Sequence, residues 1–304
     1  MTDMKRLIAT YVLLMVLSMI VVSCEHKELC YSHPHSAKVS VEFEWSQMPA
    51  AYSPGGMRVI FYPRNGGEEI VRDFVGEKGG CVEIPSGVYD VVCFNNDTQR
   101  VKYNGADSFS SIAATTGVAQ VGDVKAFRTP DYLCGGRLVA VVVEVKIGCE
   151  QTIELPVTPM VCRYTYSVRG VKNLQNFSEC VAVQQAMCSE YSVGGDREIQ
   201  ESRADICFAM ERSGDAITGS CYTFGAADCD EYKTILYIRT ANGKMVKSEY
   251  DVTQQINGQK GHLKNVNIVI DTDLDLDKQG GSTGGFGFDP SVDEWGDIES
   301  DIIL

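Results

Sequence analysis

Histidine and positive charge are both scarce in this chain of 304 residues. It contains four histidines, and its 27 lysines and arginines stand against 41 aspartates and glutamates, which gives a formal net charge of −14. Binding to nucleic-acid phosphates needs clustered cations, so this balance argues against a nucleic-acid partner. Most acid–base and zinc chemistry uses histidine, so its scarcity argues against an enzyme.

The sequence motifs of common active sites are also missing. There is no Cys-x-x-Cys pair and no Gly-x-Ser-x-Gly nucleophile elbow, and the glycine-rich stretch 279–287 is not followed by the Lys-Ser/Thr of a phosphate loop. Paired carboxylates for glycoside hydrolysis leave no sequence trace, because any two acids can meet in space. We therefore predict no catalytic residue, no cofactor and no metal, and we expect a protein that is not an enzyme.

Two segments resemble metal sites only in part. Four aspartates alternate from Asp271 to Asp277, as at the start of a calcium loop, but the glycine and the glutamate that complete such a loop are absent. We expect instead that the intervening leucines face a core and the aspartates face water. The segment His33-Pro34-His35, with Cys30 and His26 nearby, offers transition-metal ligands, but it lies in an extended tether and not on a rigid scaffold.

The N-terminus has the pattern of a targeting segment. Lys5 and Arg6 precede an almost wholly apolar stretch from Leu7 to Val22. At 1.5 Å per residue this stretch spans about 24 Å as a helix, less than the roughly 30 Å hydrocarbon core of a bilayer. No basic stop-transfer cluster follows it, so the pattern indicates a signal peptide over residues 1–23.

The end of this stretch resembles the lipobox of bacterial lipoproteins. Val21-Val22-Ser23-Cys24 places an aliphatic, a permissive and a small residue before a cysteine. In that family the cysteine sulfur is alkylated by diacylglycerol, and cleavage before the cysteine frees an amine that is often acylated. Two or more acyl chains hold a protein stably at a membrane. We therefore predict Cys24 as the lipid attachment site, followed by a lipidated tether over residues 24–37.

The other cysteines do not form an evident disulfide framework. Of the twelve cysteines, eleven remain after Cys24, so at least one thiol has no disulfide partner. Several lie in apolar runs, as small buried hydrophobic residues do. The pairs Cys180/Cys188 and Cys221/Cys229 have equal spacing and are candidates to bridge neighbouring strands, although spacing alone does not establish the geometry.

Short strands separated by turn residues dominate the chain after the tether. Lys38 to Trp45 alternates strictly between apolar and polar residues, as in a half-buried antiparallel strand. Strands are predicted to follow at intervals of about ten residues, with glycine, proline and asparagine between them, which is typical of a β-sandwich or barrel. The β-branched run from Leu138 to Ile147 predicts a central strand covered on both faces.

The segment Leu155-Pro156-Val157-Thr158-Pro159 interrupts the series of predicted strands, because two prolines three residues apart do not fit inside a central strand. The series of strands restarts after it. Further strands are predicted beyond it, with a hairpin at Asn242-Gly243, a short helix near Val252 to Ile256 and a final strand from Leu263 to Leu276. We therefore predict an N-terminal β-sandwich over residues 38–157 and a C-terminal one over residues 158–278.

The last part of the chain changes character. Residues 279–288 hold five glycines, which indicates a flexible linker, and ten acids but a single lysine lie between Asp271 and the terminus. The end nevertheless contains Trp295 and several isoleucines, which a purely solvated tail does not need. We predict that residues 279–304 form a glycine-rich linker and an acidic terminal strand that pairs with a sheet edge.

Several segments together resemble the fimbrillin-like lipoproteins of Gram-negative gut and oral anaerobes. They are Cys24 to His35, Val41 to Trp45, Ile60 to Pro63, Ile84 to Tyr89 and Cys93 to Thr98, and Tyr164 to Gly170 is similar to fimbrial anchor subunits. The resemblance implies two tandem transthyretin-like, Greek-key β-sandwiches, a lipid anchor and a place in or beside surface fimbriae. In that family a neighbour's strand fills a groove left by proteolysis, but this chain has no convincing counterpart of the protease site.

The resemblance implies a non-enzymatic structural, anchor or accessory subunit of fimbriae that acts in cell adhesion. Its partners would be the membrane, through the lipid, and other fimbrial subunits, through β-strand pairing. A host or bacterial surface ligand is a further candidate partner, and the expected location is the outer membrane, at the cell surface or in a fimbrium. The alternative is a surface lipoprotein that binds glycan or another ligand, since aromatic side chains on a sandwich would serve that role.

Overall fold

The computed structural model describes residues 36–145, 151–259 and 265–277. Nearly all of its regular structure is β, which confirms the predicted all-β class. The first half contains β1 Ser36–Glu44, β2 Gly56–Pro63, β3 Ile70–Val75, β4 Gly80–Pro85, β5 Gly87–Asn95, β6 Val101–Asn104, β7 Ala113–Thr116, β8 Val118–Val121, β9 Val124–Arg128, β10 Cys134–Val143 and β11 Gln151–Pro156. The second half contains β12 Thr158–Pro159, β13 Cys162–Arg169, β14 Phe177–Cys188, β15 Glu190–Ser192, β16 Arg197–Glu198, β17 Arg203–Ser213, β18 Ala216–Thr223, β19 Lys233–Thr240, β20 Met245–Asp251, the helix α1 Thr253–Asn257 and β21 Asn265–Asp271.

The first half is a sandwich of two sheets. In the smaller sheet, β1 lies between β11, to which it is parallel, and β4, to which it is antiparallel. The larger sheet has the order β12-β10-β5-β2-β3. The alternation along β1 predicted one buried face, and Val39, Val41 and Phe43 are indeed buried between the sheets. Because β1 is paired on both sides, it is the central strand of its sheet.

The second half repeats this arrangement of strands. The order β20-β19-β14-β17 corresponds to β10-β5-β2-β3, and β18-β13-β21 corresponds to β4-β1-β11. In each half the first strand lies parallel beside the last one, as β1 does with β11 and β13 with β21. In the second half β17 and β18 stay paired at their hairpin, so the seven strands form one continuous sheet around a core that includes Tyr164, Tyr166 and Val168.

An insertion in each half joins the two sandwiches. The first insertion, β6 to β9, leaves the larger sheet between β5 and β10, and the second, β15 and β16, lies between β14 and β17. β7 pairs with β15, and β9 pairs in parallel with β17, so strands from the first half pair with strands from the second. Ile112 and Phe224 belong to a buried cluster formed between the halves. Given this sharing, the limits 38–157 and 158–278 stay a prediction.

The sequence predicts that β10 is a central strand covered on both faces, and this prediction is wrong. β10 pairs with β5 along its length, but on its other side only Cys134 and Gly135 have a partner strand, β12. From Arg137 onward β10 is an edge strand among the described residues, and Val139 and Val142 are 55% and 49% exposed. An aliphatic composition shows only that a strand is suited to burial. Whether the strand is buried depends on which other elements pack against it.

The hairpin predicted at Asn242-Gly243 is confirmed as the connection between β19 and β20, and the helix predicted near Val252 to Ile256 is confirmed as α1, which begins at Thr253. The final strand is shorter than predicted: β21 ends at Asp271, and a single bridge between Lys172 and Asp275 continues the pairing. Within the described residues, no helix is long and apolar enough to cross a bilayer.

Candidate functional site

The predicted lipid site and most of the metal candidates lie outside the described residues. This holds for Cys24, for Cys30 and all four histidines, and for the predicted terminal strand. The described part begins at Ser36, so the last two residues of the predicted tether belong to β1. Ser36 pairs with Pro85, at the end of the first sandwich where β4 turns into β5. We call this end of the first sandwich, where β1 begins, the tether end.

The alternating aspartates do not form a cation cage. Leu274 and Leu276 are buried, as the sequence predicted. The Asn173 amide donates to Asp275 Oδ1 at 2.7 Å, and the Asn176 amide donates to Asp277 Oδ1 at 2.6 Å. These oxygens accept hydrogen bonds where a calcium loop would use them as ligands. Throughout residues 36–145, 151–259 and 265–277, no group of three or more His, Cys, Asp or Glu side chains is placed to hold a metal.

The proposed disulfide pairs are wrong. Cys180 and Cys188 lie eight residues apart on the same extended strand, β14. Their Cα atoms are therefore much farther apart than the roughly 4.4–6.8 Å found in a disulfide. All four cysteines of the two pairs are free thiols. Burial raises the pKa of Cys207 to about 11 and also raises the pKa of Cys221. Such thiols are poor nucleophiles, so they act as small core residues.

The free edge of β10 is the surface feature that stands out. We use this name for Arg137–Val143 on the side away from β5, where no strand of the described chain pairs with it. Val139, Val142 and the following Val145 are about half exposed. The corresponding edge strand of the second half, β20, instead exposes Lys247, Glu249 and Asp251. Charged residues block the addition of another strand, and exposed aliphatic residues do not.

A β-bulge shapes this edge. The register with β5 shifts between Leu138 and Val141, and Ala140 has a left-handed φ of 56°. The Ala140 backbone donates to Asp90 Oδ1 at 2.9 Å, and Arg64 Nη2 lies 2.7 Å from the same oxygen. Partial burial of Asp90 opposes its ionisation, but the hydrogen bonds from Arg64 and Ala140 outweigh it, so the pKa of Asp90 lies below its ordinary value. The bulge is therefore held by an ionised carboxylate.

Both ends of the free edge are closed. At one end, β12 pairs with Cys134 and Gly135, and a Cβ on Gly136 would lie 1.8 Å from the carbonyl oxygen of Pro156. At the other end, the Gln151 side chain donates to the Val142 carbonyl at 2.5 Å and accepts from the Glu144 backbone at 3.3 Å. In a parallel sheet, one residue of the neighbouring strand makes the same two bonds with its backbone N–H and C=O groups. The side chain of Gln151 thus stands in for a strand at this point.

A cavity of about 260 Å³ lies at the tether end, close to the free edge. Pro63, Ile70, Pro85 and Tyr89 provide apolar walls, and Glu68 and Ser86 provide polar groups. Gly87 and Val88, which also line it, pair directly with Val143 and Val142 of β10. The Tyr89 hydroxyl donates to the Pro85 carbonyl at 2.9 Å, which fixes the ring in the wall.

The arrangement offers backbone pairing and aliphatic contacts at the edge of one strand, with a small mixed cavity beside it. Sequence reasoning missed this site because it placed β10 in the centre of a sheet. Its one sequence signal is the lack of charge from Leu138 to Val143, which marks an unprotected edge only once the strand order is known.

Comparison with known proteins places the chain in a family. The family profile described as Domain of unknown function (DUF5119) matches residues 23–209. The chain belongs to this family. A Bacteroides ovatus protein, provisionally named fimbrium anchoring subunit Fim4B, is 27% identical over 202 residues, which are 64% of this chain and 58% of Fim4B. The match therefore spans less than two thirds of that relative, and it confirms the expected kinship with the fimbrillin-like proteins.

Solved structures confirm the fold of this DUF5119 protein. A Bacteroides ovatus protein provisionally described as an adhesin superposes with a TM-score of 0.67 at 20% identity, over 86% of this chain and 99% of that one. A Bacteroides thetaiotaomicron protein provisionally described as polysaccharide binding (DUF1812) gives a TM-score of 0.50 at 12% identity, over 79% and 92% of the two chains. At these identities the likeness concerns the fold alone.

Proposed function

We propose that this protein is a cell-surface lipoprotein that serves as a structural, anchor or accessory subunit of fimbriae in cell adhesion. The observation that carries the proposal is the similarity over 202 residues to a protein provisionally named as a fimbrium anchoring subunit. The tandem sandwich supports it, because such sandwiches can present sheet edges to neighbouring subunits. The protein acts through binding and not through catalysis.

Attachment is through diacylglycerol on Cys24, with an outer-membrane location. The tether from Cys24 to Ser36 reaches the first sandwich at its tether end, so this end lies nearest the membrane. An extended chain spans at most about 3.3–3.6 Å per residue, so the tether allows the sandwich to stand up to about 40 Å from its lipid. The second sandwich, which continues from the opposite end of the first, would point away from the cell.

The test of attachment is metabolic labelling with radioactive palmitate. We expect label in the wild-type protein and none in a Cys24→Ala variant, which should remain uncleaved or leave the membrane fraction. Cys30→Ala is the matched control, because that cysteine does not follow a lipobox, and it should label normally. Palmitate incorporation into Cys24→Ala would contradict the assignment.

The test of the fimbrial role is a deletion strain examined by electron microscopy with antibodies against this protein. We expect labelled sites at the base or along fimbriae in wild-type cells, and fimbriae that are lost or released into the medium in the deletion strain. Unchanged fimbriae, together with labelling only between them, would contradict the proposal.

Glycan binding is the second candidate, and the cavity at the tether end is the observation that favours it. Pro63 and Pro85 offer apolar surface to a sugar ring, and Glu68 and Ser86 offer hydrogen-bonding groups to its hydroxyls. A glycan array with the wild-type protein and a Glu68→Ala variant tests this. Binding that is lost in the variant would support the second candidate, and an array without signal would oppose it.

A further inference from the structure

The free edge of β10 has the backbone groups needed to add a strand. Gln151 demonstrates this at one position, since its side-chain amide bonds both Val142 and Glu144 as a neighbouring strand would. Between this point and β12 lies a stretch of about five residues, or about 17 Å, which matches one short strand. Val139 and Val142 present aliphatic side chains along it.

The closed ends of the edge indicate which kind of partner fits. A rigid sandwich approaching side by side would continue past both ends and meet β12 or Gln151. Such a short contact also falls below the roughly 1,000 Å² that a specific interface between folded surfaces needs. A chain segment that is extended over a few residues can bend away before it meets β12, and at the other end it has to displace only the side chain of Gln151.

Among the described residues, no strand has to be removed for another strand to reach this edge. β1 is paired on both sides by β11 and β4, and its apolar side chains are buried. A partner strand would therefore be added beside β10 and would not replace β1. The contrast with the charged edge of β20 indicates that, within the described part of the chain, strand addition is disfavoured in the second sandwich and open in the first.

We propose that the free edge of β10 accepts an extended, aliphatic segment of another fimbrial subunit by strand addition, and that this segment displaces the Gln151 side chain from Val142 and Glu144. This rests on the proposed function, since it names the surface through which the protein joins a fimbrium. The aliphatic edge selects uncharged side chains in the partner, and the bulge held by Asp90 sets where the added strand can begin.

The test is photo-crosslinking in living cells, with benzoylphenylalanine at position 142 and, as the control, at position 75. Val75 is 93% exposed and lies on β3, at the opposite edge of the same sheet. We expect position 142 to cross-link a segment of a fimbrial subunit, identified by mass spectrometry of the joined peptides, and position 75 to give no such product. A Gln151→Ala variant should raise the yield at position 142 about two- to tenfold, because it removes competing hydrogen bonds.

Three results would overturn the inference: no product at position 142, a product only with another copy of this chain, or equal products at both positions. Co-fractionation of this protein with fimbriae is measured in the same cells. If co-fractionation persists without the cross-link, the proposed function stands and the assigned surface fails. If co-fractionation is also absent, the proposed function itself fails.

Discussion

At the scale of single residues, Asp90 supports the bulge that shapes the candidate site. Its carboxylate accepts from the Ala140 backbone and from Arg64, and Ala140 adopts a left-handed conformation that an L-residue rarely takes. Without an acceptor, the Ala140 amide would lose its partner and the bulge would lose its support. The exposed valines of β10 are therefore positioned by a side chain on the neighbouring strand.

We expect Asp90→Ala to lower the free energy of unfolding by about 1–2 kcal/mol, because it leaves a backbone donor without its partner. Chemical denaturation measures the change. Arg64→Ala is the control, and it should have a smaller effect, because Arg64 is largely solvated and the Ala140 bond survives. An equal loss in both variants would show that the ion pair, and not the bond to Ala140, supports the bulge.

The same carboxylate predicts a dependence on pH. The pKa of Asp90 is lower in the folded protein, so its stabilisation is present above the unfolded pKa of about 3.9 and is lost as the pH falls through the folded value. We expect hydrogen exchange at Ala140, corrected for intrinsic rates, to accelerate only below about pH 3.9. An Asp90→Asn variant should lack this step, and a step that persists there would assign it to another group.

At the scale of elements, equivalent strands of the two halves expose different side chains at the edges of their sheets. β10 and β20 occupy the same place in the repeated topology, yet one exposes valines and the other exposes charges. The strand order makes both β10 and β20 edge strands among the described residues, and their side chains then determine whether the edge is charged. An acidic terminal strand, predicted beyond the described residues, is a further element whose partner the sequence leaves open.

We predict that residues 289–304 pair with a sheet edge of this chain or of a neighbouring subunit. Burial of Trp295 supplies up to several kcal/mol, but ordering ten residues opposes this at about 1–2 kcal/mol each, so backbone pairing and the isoleucines must contribute. Removing residues 289–304 should lower the melting temperature if the pairing is internal, or abolish incorporation into an assembly if it is not. A truncated protein that melts and assembles normally would show that the segment is only a solvated tail.

At the scale of the whole molecule, the two sandwiches are joined by their insertions. Gly194, between β15 and β16 of the second half, lies so close to the first half that a Cβ there would be 1.7 Å from the Phe109 carbonyl oxygen. Arg137 of β10 also donates to the Gly194 carbonyl at 2.9 Å. The free edge of β10 is thus connected to the second half through this junction.

We expect Gly194→Ala to lower the free energy of unfolding by about 1–3 kcal/mol, because the backbone must shift to admit a methyl group. Calorimetry should then show the two halves melting less cooperatively. Gly117→Ala is the control, since a Cβ there meets nothing within 4 Å. If both variants melt like the wild type, the junction contributes little and the halves act as the independent units that the sequence suggested.

Limited proteolysis also distinguishes two joined halves from two independent units. The sequence predicts early cleavage near Pro156 to Pro159 or in the linker 279–288. Because β11 and β12 are paired in sheets on both sides of Val157, we expect the linker to be cleaved first and the 156–159 segment to resist. Cleavage at 156–159 before the linker would contradict this order.

Local features of this protein are determined by its sequence alone. The alternation along β1, the turn at Asn242-Gly243 and the restart after Pro159 predict strands, a hairpin and two halves, because period-two burial and turn chemistry act over a few residues. The lipobox at Cys24 is also a local signal. These features depend on neighbours along the chain, which the sequence shows directly.

The tertiary structure decided which strands lie side by side. The parallel pairing of first and last strands, the joining of the insertions through β7 and β15, and the exposure of β10 all depend on contacts between residues far apart in the chain. An apolar strand such as Leu138 to Val143 is equally suited to the centre or the edge of a sheet, and it is an edge because no described strand pairs with its other side. The candidate site is therefore a property of strand order, which composition and spacing do not encode.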